Sequence, residues 1–248
     1  MTTKTTPKTN APTDAQGWLL PAASPGVANG VRIAIIVLMP VLIVMTVVRV
    51  LLSPAYTGWA YYHPDFPPDV LGVWSADDRM LFADYARIYI KNGSLPVEFL
   101  AGTPFPDKPY NERELKHMLD VQIVTVWALR LWWVSLVVVI GGGLWLGLPV
   151  STRQYARSAL MIGSGIVMAV LLSLLGFIFV DFDTFFTQFH NVFFDPGTWV
   201  FYIDDNLIRM FPLKFWNDIF IILASASFGM AAIIFGLAAG VLRPPAKG

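Results

Sequence analysis

The chain has 248 residues, 56% of them hydrophobic and only 14% charged, with seventeen Lys and Arg balancing seventeen Asp and Glu. Soluble domains run near 25% charged, so this balance argues against a soluble globular enzyme and, being rich in apolar residues, against a disordered chain. The missing net positive charge argues against nucleic-acid binding, and the absence of cysteine removes disulfides, thiolate nucleophiles and Cys-ligated metals.

What remains is an all-α membrane protein. In chain order, residues 1–30, rich in Thr, Pro and Ala, read as a disordered cytoplasmic tail. Residues 31–248 read as a single domain of four transmembrane helices. A span needs about 20 mainly apolar residues. Four stretches qualify: Ile33 to Leu52, Val121 to Leu148, Ala159 to Val180 and Phe220 to Leu242. Between them lie two partly helical loops, residues 53–120 and 181–218.

Charge orients the bundle. The side carrying both termini holds Lys4, Lys8, Arg32, Arg153, Arg157, Arg243 and Lys247 against one acid, Asp14. The two loops opposite hold the other sixteen acids. The positive-inside rule then puts both termini in the cytoplasm and both loops outside.

Small residues four apart, Gly165, Ala169 and Ser173 in the third span and Ala232, Gly236 and Gly240 in the fourth, predict close helix packing. Gly141, Gly142 and Gly143 predict a bend or a close contact. Two arginines lie within spans. Arg49, one turn from the outer end of the first, can snorkel to the headgroups. Arg130 lies ten residues past Asp120, roughly 15 Å down the helix. It calls for a buried partner, with Asp120, Asp181 or Asp183 available. A structural ion pair and a substrate-facing role both stand open.

In the first loop, Tyr56 to Pro68 is aromatic and proline-rich and reads as irregular, with His63 as a surface residue. Ser75 and Asp78 form a capping-box pattern that opens a helix ending at Asn92-Gly93. Asn111 and Glu114 repeat the pattern, and nothing breaks that helix before Gly141. On it His117 and Asp120 share a face, where the carboxylate can orient the imidazole. The second loop sets His190 among Phe185, Phe186, Phe189, Phe193 and Phe194, followed by Trp199 and by Asp204 and Asp205. Interfacial aromatics are ordinary. A histidine among them is not, and an apolar pocket keeps it neutral, as a general base requires.

Glu114-Leu115-x-His117-Met118-x-Asp120-Val121 leading into a span, and Phe189-His190-x-x-Phe193-Phe194 followed by Trp199, Asp205-x-Leu207-Ile208 and Pro212, together resemble the lipoprotein intramolecular transacylase (Lit) family. The resemblance covers most of the chain from Ile33 to Leu242; the long Thr/Pro tail and the extra Asp204 depart from it. It implies acyl transfer at the outer leaflet of a bacterial plasma membrane. The sn-2 chain of a lipoprotein's diacylglyceryl-cysteine would move to that cysteine's α-amine. It implies no cofactor and no metal. The catalytic residues carried over are His117 and His190. In this reading His190 is the base, and His117 is acid and oxyanion donor, held by Asp120. Asp205, Arg49 and Arg130 are supporting residues, Asp205 organising the second loop. The partners implied are lipid and a lipoprotein N-terminus. The alternative is a non-catalytic subunit of a larger membrane complex, docked through the N-terminal tail.

Overall fold

The computed structural model describes residues 24–102 and 110–242, and within them the chain is all-helical. Four helical stretches are long and apolar enough to cross a membrane: α1 (Pro25–Leu51), the continuous run Glu112–Gly147, α7 (Arg153–Val180) and α10 (Leu213–Val241). The run Glu112–Gly147 comprises α5 (Glu112–Leu136), a π-helical turn (Val137–Gly141) and α6 (Gly142–Gly147). The chain is a multi-pass membrane protein. α1 starts earlier than the apolar run suggests, because Pro25 stands at its first position, where proline suits a helix start. It takes in residues 25–30 of the stretch read as tail; residues 1–23, and any docking through them, lie outside the described residues.

Ile35, Met39, Ile43, Val139, Ala159, Val167, Leu171 and Ala231 form the membrane core. α7 approaches α1 closely at Gly163, where a Cβ would sit 2.9 Å from Met39 Cβ. Gly142 does the same against Val31, also at 2.9 Å, so the glycine run marks both a π-turn and a close contact. The predicted small-residue stripes are not the packed ones. Ala169, Ser173, Ala232, Gly236 and Gly240 are exposed, Gly165 is half-buried, and no atom comes within 4 Å of a Cβ built on Gly165, Gly236 or Gly240. The buried rows run through Gly163 and Val167 on α7 and through Ala224, Ala231 and Ala238 on α10. Stripe and packed row are only one or two residues out of phase, and small size alone does not choose between adjacent helical rows.

The second spanning segment has 36 residues, about 54 Å at 1.5 Å per residue, against a hydrocarbon core of about 30 Å. Much of it therefore stands clear of the bilayer. Trp132 Nε1 donates to Thr46 Oγ1 at 3.0 Å, and the Arg49 guanidinium lies 4.2 Å from the Trp132 ring centroid. Trp132 is thus level with the loop end of α1, and Arg130 is not deep in the membrane. It is exposed, lies 4.9 Å from the Trp127 ring, and forms no ion pair among the described residues. Neither Asp120, Asp181 nor Asp183 pairs with it. Arg49 and Arg130 sit with tryptophans at an interfacial level, where aromatic belts gather.

The loops fold into a helical cap. α2 (Pro54–Tyr61) occupies most of the segment expected to be irregular; Pro54 suits a helix start and Ser53 caps it. His63 is half-buried at the edge, its ring tilted against Trp59 with the centroids 5.0 Å apart. α3 (Ala76–Lys91) and α5 each carry a complete capping box, Ser75 with Asp78 and Asn111 with Glu114. The cap is completed by α4 (Glu98–Ala101), α8 (Phe182–Phe193) and α9 (Asn206–Met210). A buried ion pair staples its two loops: Arg209 Nε and Nη2 meet Asp69 at 2.8 and 2.7 Å, and Val73 and Trp74 donate backbone N–H to the same carboxylate. These bonds, Arg209's first, hold the Asp69 carboxyl well below the usual carboxylate range.

Candidate functional site

Two buried histidines face each other in the cap. His117 lies in the second turn of α5 and His190 in the last turn of α8; their ring centroids are 6.2 Å apart with planes 30° from parallel. They come from segments 73 residues apart in sequence. α8 brings His190 there. It starts directly after α7, with the Asp181 carboxylate accepting the Thr184 backbone N–H at 3.0 Å. Its phenylalanines pack inward, Phe185 and Phe189 each 4.9 Å from Phe220 of α10.

Aromatic rings enclose both imidazoles. His190 is flanked by Phe186 at 4.1 Å and Trp199 at 4.7 Å, and His117 by Phe194 at 4.9 Å and Phe201 at 5.4 Å. Burial among these rings pushes the His190 imidazole below its ordinary pKa. A ring in so apolar a setting stays neutral because the charged form loses its hydration. His190 Nδ1 lies 2.8 Å from the Phe186 carbonyl oxygen. A carbonyl only accepts, so in the neutral ring Nδ1 carries the proton and Nε2 the free lone pair. His117 differs: its Nδ1 is buried with no hydrogen-bond partner. Trp199 Nε1 is likewise buried and unpartnered.

Carboxylates organise the surroundings without touching the imidazoles. Glu114 is 1% exposed and accepts the Asn111 and Leu207 backbone N–H groups at 2.7 and 2.5 Å, joining α5 to the start of α9. Asp205 accepts from Arg113 at 2.5 Å, from Asn111 Nδ2 at 2.9 Å and from the Tyr202 backbone N–H at 2.7 Å. Arg113 in turn lies 5.5 Å from the Phe201 ring, one of those around His117. Asp205 therefore holds the second loop against α5. Asp120 is not brought to His117: no hydrogen bond joins them, and His117 Nδ1 has no partner. Three-residue spacing puts two Cβ atoms on one face, but it does not aim a short carboxylate at a ring nitrogen. Arg49 and Arg130 stand at the membrane interface, among the tryptophans of α5.

Sequence reasoning passed over Arg113, Phe201 and the longer reach of Glu114. Glu114 reads as a local cap, and its bond to Leu207, 93 residues on, leaves no local signal.

Comparison with known proteins agrees with this architecture. A model of the family described as lipoprotein intramolecular transacylase Lit matches residues 32–216. An uncharacterised protein of Aquifex aeolicus is 27% identical over 217 residues, which cover 84% of this chain and 93% of that one. The solved structure of the membrane-integral lipoprotein intramolecular transacylase Lit from Bacillus cereus superposes with a TM-score of 0.72 at 18% identity, covering 88% of this chain and 97% of that one. A variant of that protein with a histidine-to-arginine substitution gives 0.65 at the same identity, covering 88% and 92%. With the family pattern running through both histidine segments and the fold shared over 88% of the chain, the chain belongs to the lipoprotein intramolecular transacylase Lit family.

Proposed function

We propose that the protein moves the sn-2 acyl chain of a diacylglyceryl-cysteine to the α-amine of that cysteine. Family membership supports the substrate class. The observation that carries the chemistry is the facing pair of buried imidazoles.

His190 is the base. With Nδ1–H given to Phe186, its Nε2 lone pair takes a proton from the attacking amine. The N–C bond forms and the ester carbonyl becomes an oxyanion. His117 is the donor. Leaving a buried acceptor unpaired costs less than leaving a buried N–H unpaired, so the orphaned Nδ1 favours the tautomer with hydrogen on Nε2. That Nε2–H stabilises the oxyanion, and the Trp199 Nε1–H beside His190 is a second candidate donor. As the C–O bond breaks, the sn-2 alkoxide takes the proton from the His190 imidazolium, so in this reading the acid role expected of His117 passes to His190 and His117 keeps that of oxyanion donor. No net charge is created, which suits an apolar cage. Amine and ester belong to one substrate, so binding it folded supplies proximity.

The cap then faces the outer side of a bacterial plasma membrane, with both termini cytoplasmic, as the clustering of basic residues on the other side supports.

The test is mass spectrometry of a lipoprotein N-terminal peptide from cells that lack other N-acylation. An N-acyl, monoacylglyceryl peptide appears with the wild-type chain and vanishes with His117→Ala or His190→Ala. An unchanged diacylglyceryl peptide, from protein shown to be folded in the membrane, overturns the reading.

A further inference from the structure

A second site stands in the cap, built around a buried cation that no carboxylate among the described residues bonds directly. Arg79, in the first turn of α3, is 2% exposed. Its Nη1 donates to the Pro67 carbonyl oxygen at 2.7 Å, and its guanidinium lies 4.5 Å from the centre of the Phe66 ring. These are its polar contacts among the described residues: Nε is buried with no partner, and no carboxylate pairs with it. The obvious candidate, Asp69, is already filled by Arg209 and by the Val73 and Trp74 N–H groups. Asp77 and Asp78 are engaged elsewhere, Asp77 accepting from the Tyr62 hydroxyl and Asp78 from Ser75. Asp69 still attracts Arg79 across space, but its hydrogen bonds go to Arg209 and the loop backbone, so no carboxylate bonds the Arg79 guanidinium directly.

Buried charges are kept where a partner neutralises them. Stacking on one phenyl ring does not replace a counter-ion. Beside Arg79 opens a cavity of about 480 Å³, walled by Tyr61, Pro67, Val73, Trp74, Arg79 itself and Asp69, whose carboxylate is held by Arg209. The Nε and Nη2 edge of a guanidinium matches two oxygens of an oxyanion. The cavity lies one short helix from the membrane: α2 begins three residues after α1 ends, and its last residue is Tyr61. At that level the abundant oxyanions are phosphates.

We propose that this cavity binds a phosphate group, carried by a phospholipid headgroup or free in solution, with the Arg79 guanidinium as its cation. The site is separate from the histidine pair and does not depend on the acyl-transfer reading.

Calorimetric titration of the full chain, purified in a phosphate-free detergent, tests this. The probes are inorganic phosphate, sn-glycerol 3-phosphate, dihexanoyl phosphatidylglycerol below its micelle threshold, and dihexanoylglycerol as a phosphate-free control. Saturable binding is expected for a phosphate probe and not for the control. Tighter binding of the phosphatidylglycerol assigns the site to a headgroup; equal or tighter binding of inorganic phosphate assigns it to the free ion. Arg79→Gln should weaken the binding about tenfold or more, as loss of charged hydrogen bonds does. Because Arg79 is buried, Val73→Glu serves as a second variant, placing a competing carboxylate at an exposed position on the rim; it should weaken binding likewise. The proposal is overturned if no phosphate probe binds saturably, if the control binds as well, or if folded Arg79→Gln or Val73→Glu protein binds undiminished.

Discussion

The Nδ1 atom of His190 lies 2.8 Å from the carbonyl oxygen of Phe186, one turn back on α8. This bond fixes the tautomer, while burial lowers the pKa. In the native protein His190 should therefore titrate below the unperturbed value of about 6.5. Nuclear magnetic resonance of ring-labelled histidine in micelles, with His190→Gln for assignment, reads this directly. A midpoint at or above about 6.5 would show that the cage does not desolvate the ring. The sign for stability follows from linkage: below about pH 6.5 the unfolded chain binds a proton that native His190 resists, so acidification through that window destabilises the fold.

Trp199 supplies a separate test. Its Nε1–H is buried without a partner, next to His190. Trp199→Phe keeps an aromatic wall and removes the donor. If that N–H meets the oxyanion, kcat falls by about 10²-fold while KM changes little, as for loss of one oxyanion donor. A rise in KM at unchanged kcat would assign Trp199 to substrate binding alone.

The four spans and two capping boxes were legible in the sequence, because apolar runs and caps are local signals. Both histidines were legible as well, each being a titratable residue in an aromatic or boundary setting. α2 was not: proline and aromatic residues read as irregular, yet Pro54 stands where a helix tolerates it. The depth of Arg130 was misjudged because hydropathy marks the apolar part of a helix and not its length. Its level follows from contacts with α1: Trp132 meets Thr46 and Arg49, which puts Arg130 near the loop end of that helix. The pairings of Glu114 with Leu207, Asp205 with Arg113 and Asp69 with Arg209 join residues about ninety or more positions apart. Single-sequence periodicity carries no information on such pairs.

The Asp69–Arg209 pair should matter more for stability than for chemistry. Asp69→Asn leaves Arg209 buried without its counter-charge, a change that costs about 3–5 kcal/mol. Unfolding followed by denaturant in micelles measures it. The pH dependence has a definite sign: the depressed carboxylate pKa gives stability that is complete above the unfolded value of about 3.9 and is lost as pH falls toward the native one. A cost below about 1 kcal/mol would mean that the pair behaves as a solvated surface bridge.

Gly163 tests the membrane core. A Cβ there meets Met39 Cβ at 2.9 Å and lies 3.6 Å from the Ile36 Cα, so a side chain must push α1 away from α7. Gly163→Val should destabilise the bundle by about 1–3 kcal/mol, the usual cost of overpacking. Gly236→Val on α10 is the control, because nothing lies within 4 Å of a Cβ at that position. It should be near neutral in the isolated chain. Equal losses at both positions, read from thermal unfolding in the same detergent, would show that loss of glycine and not contact with α1 sets the cost.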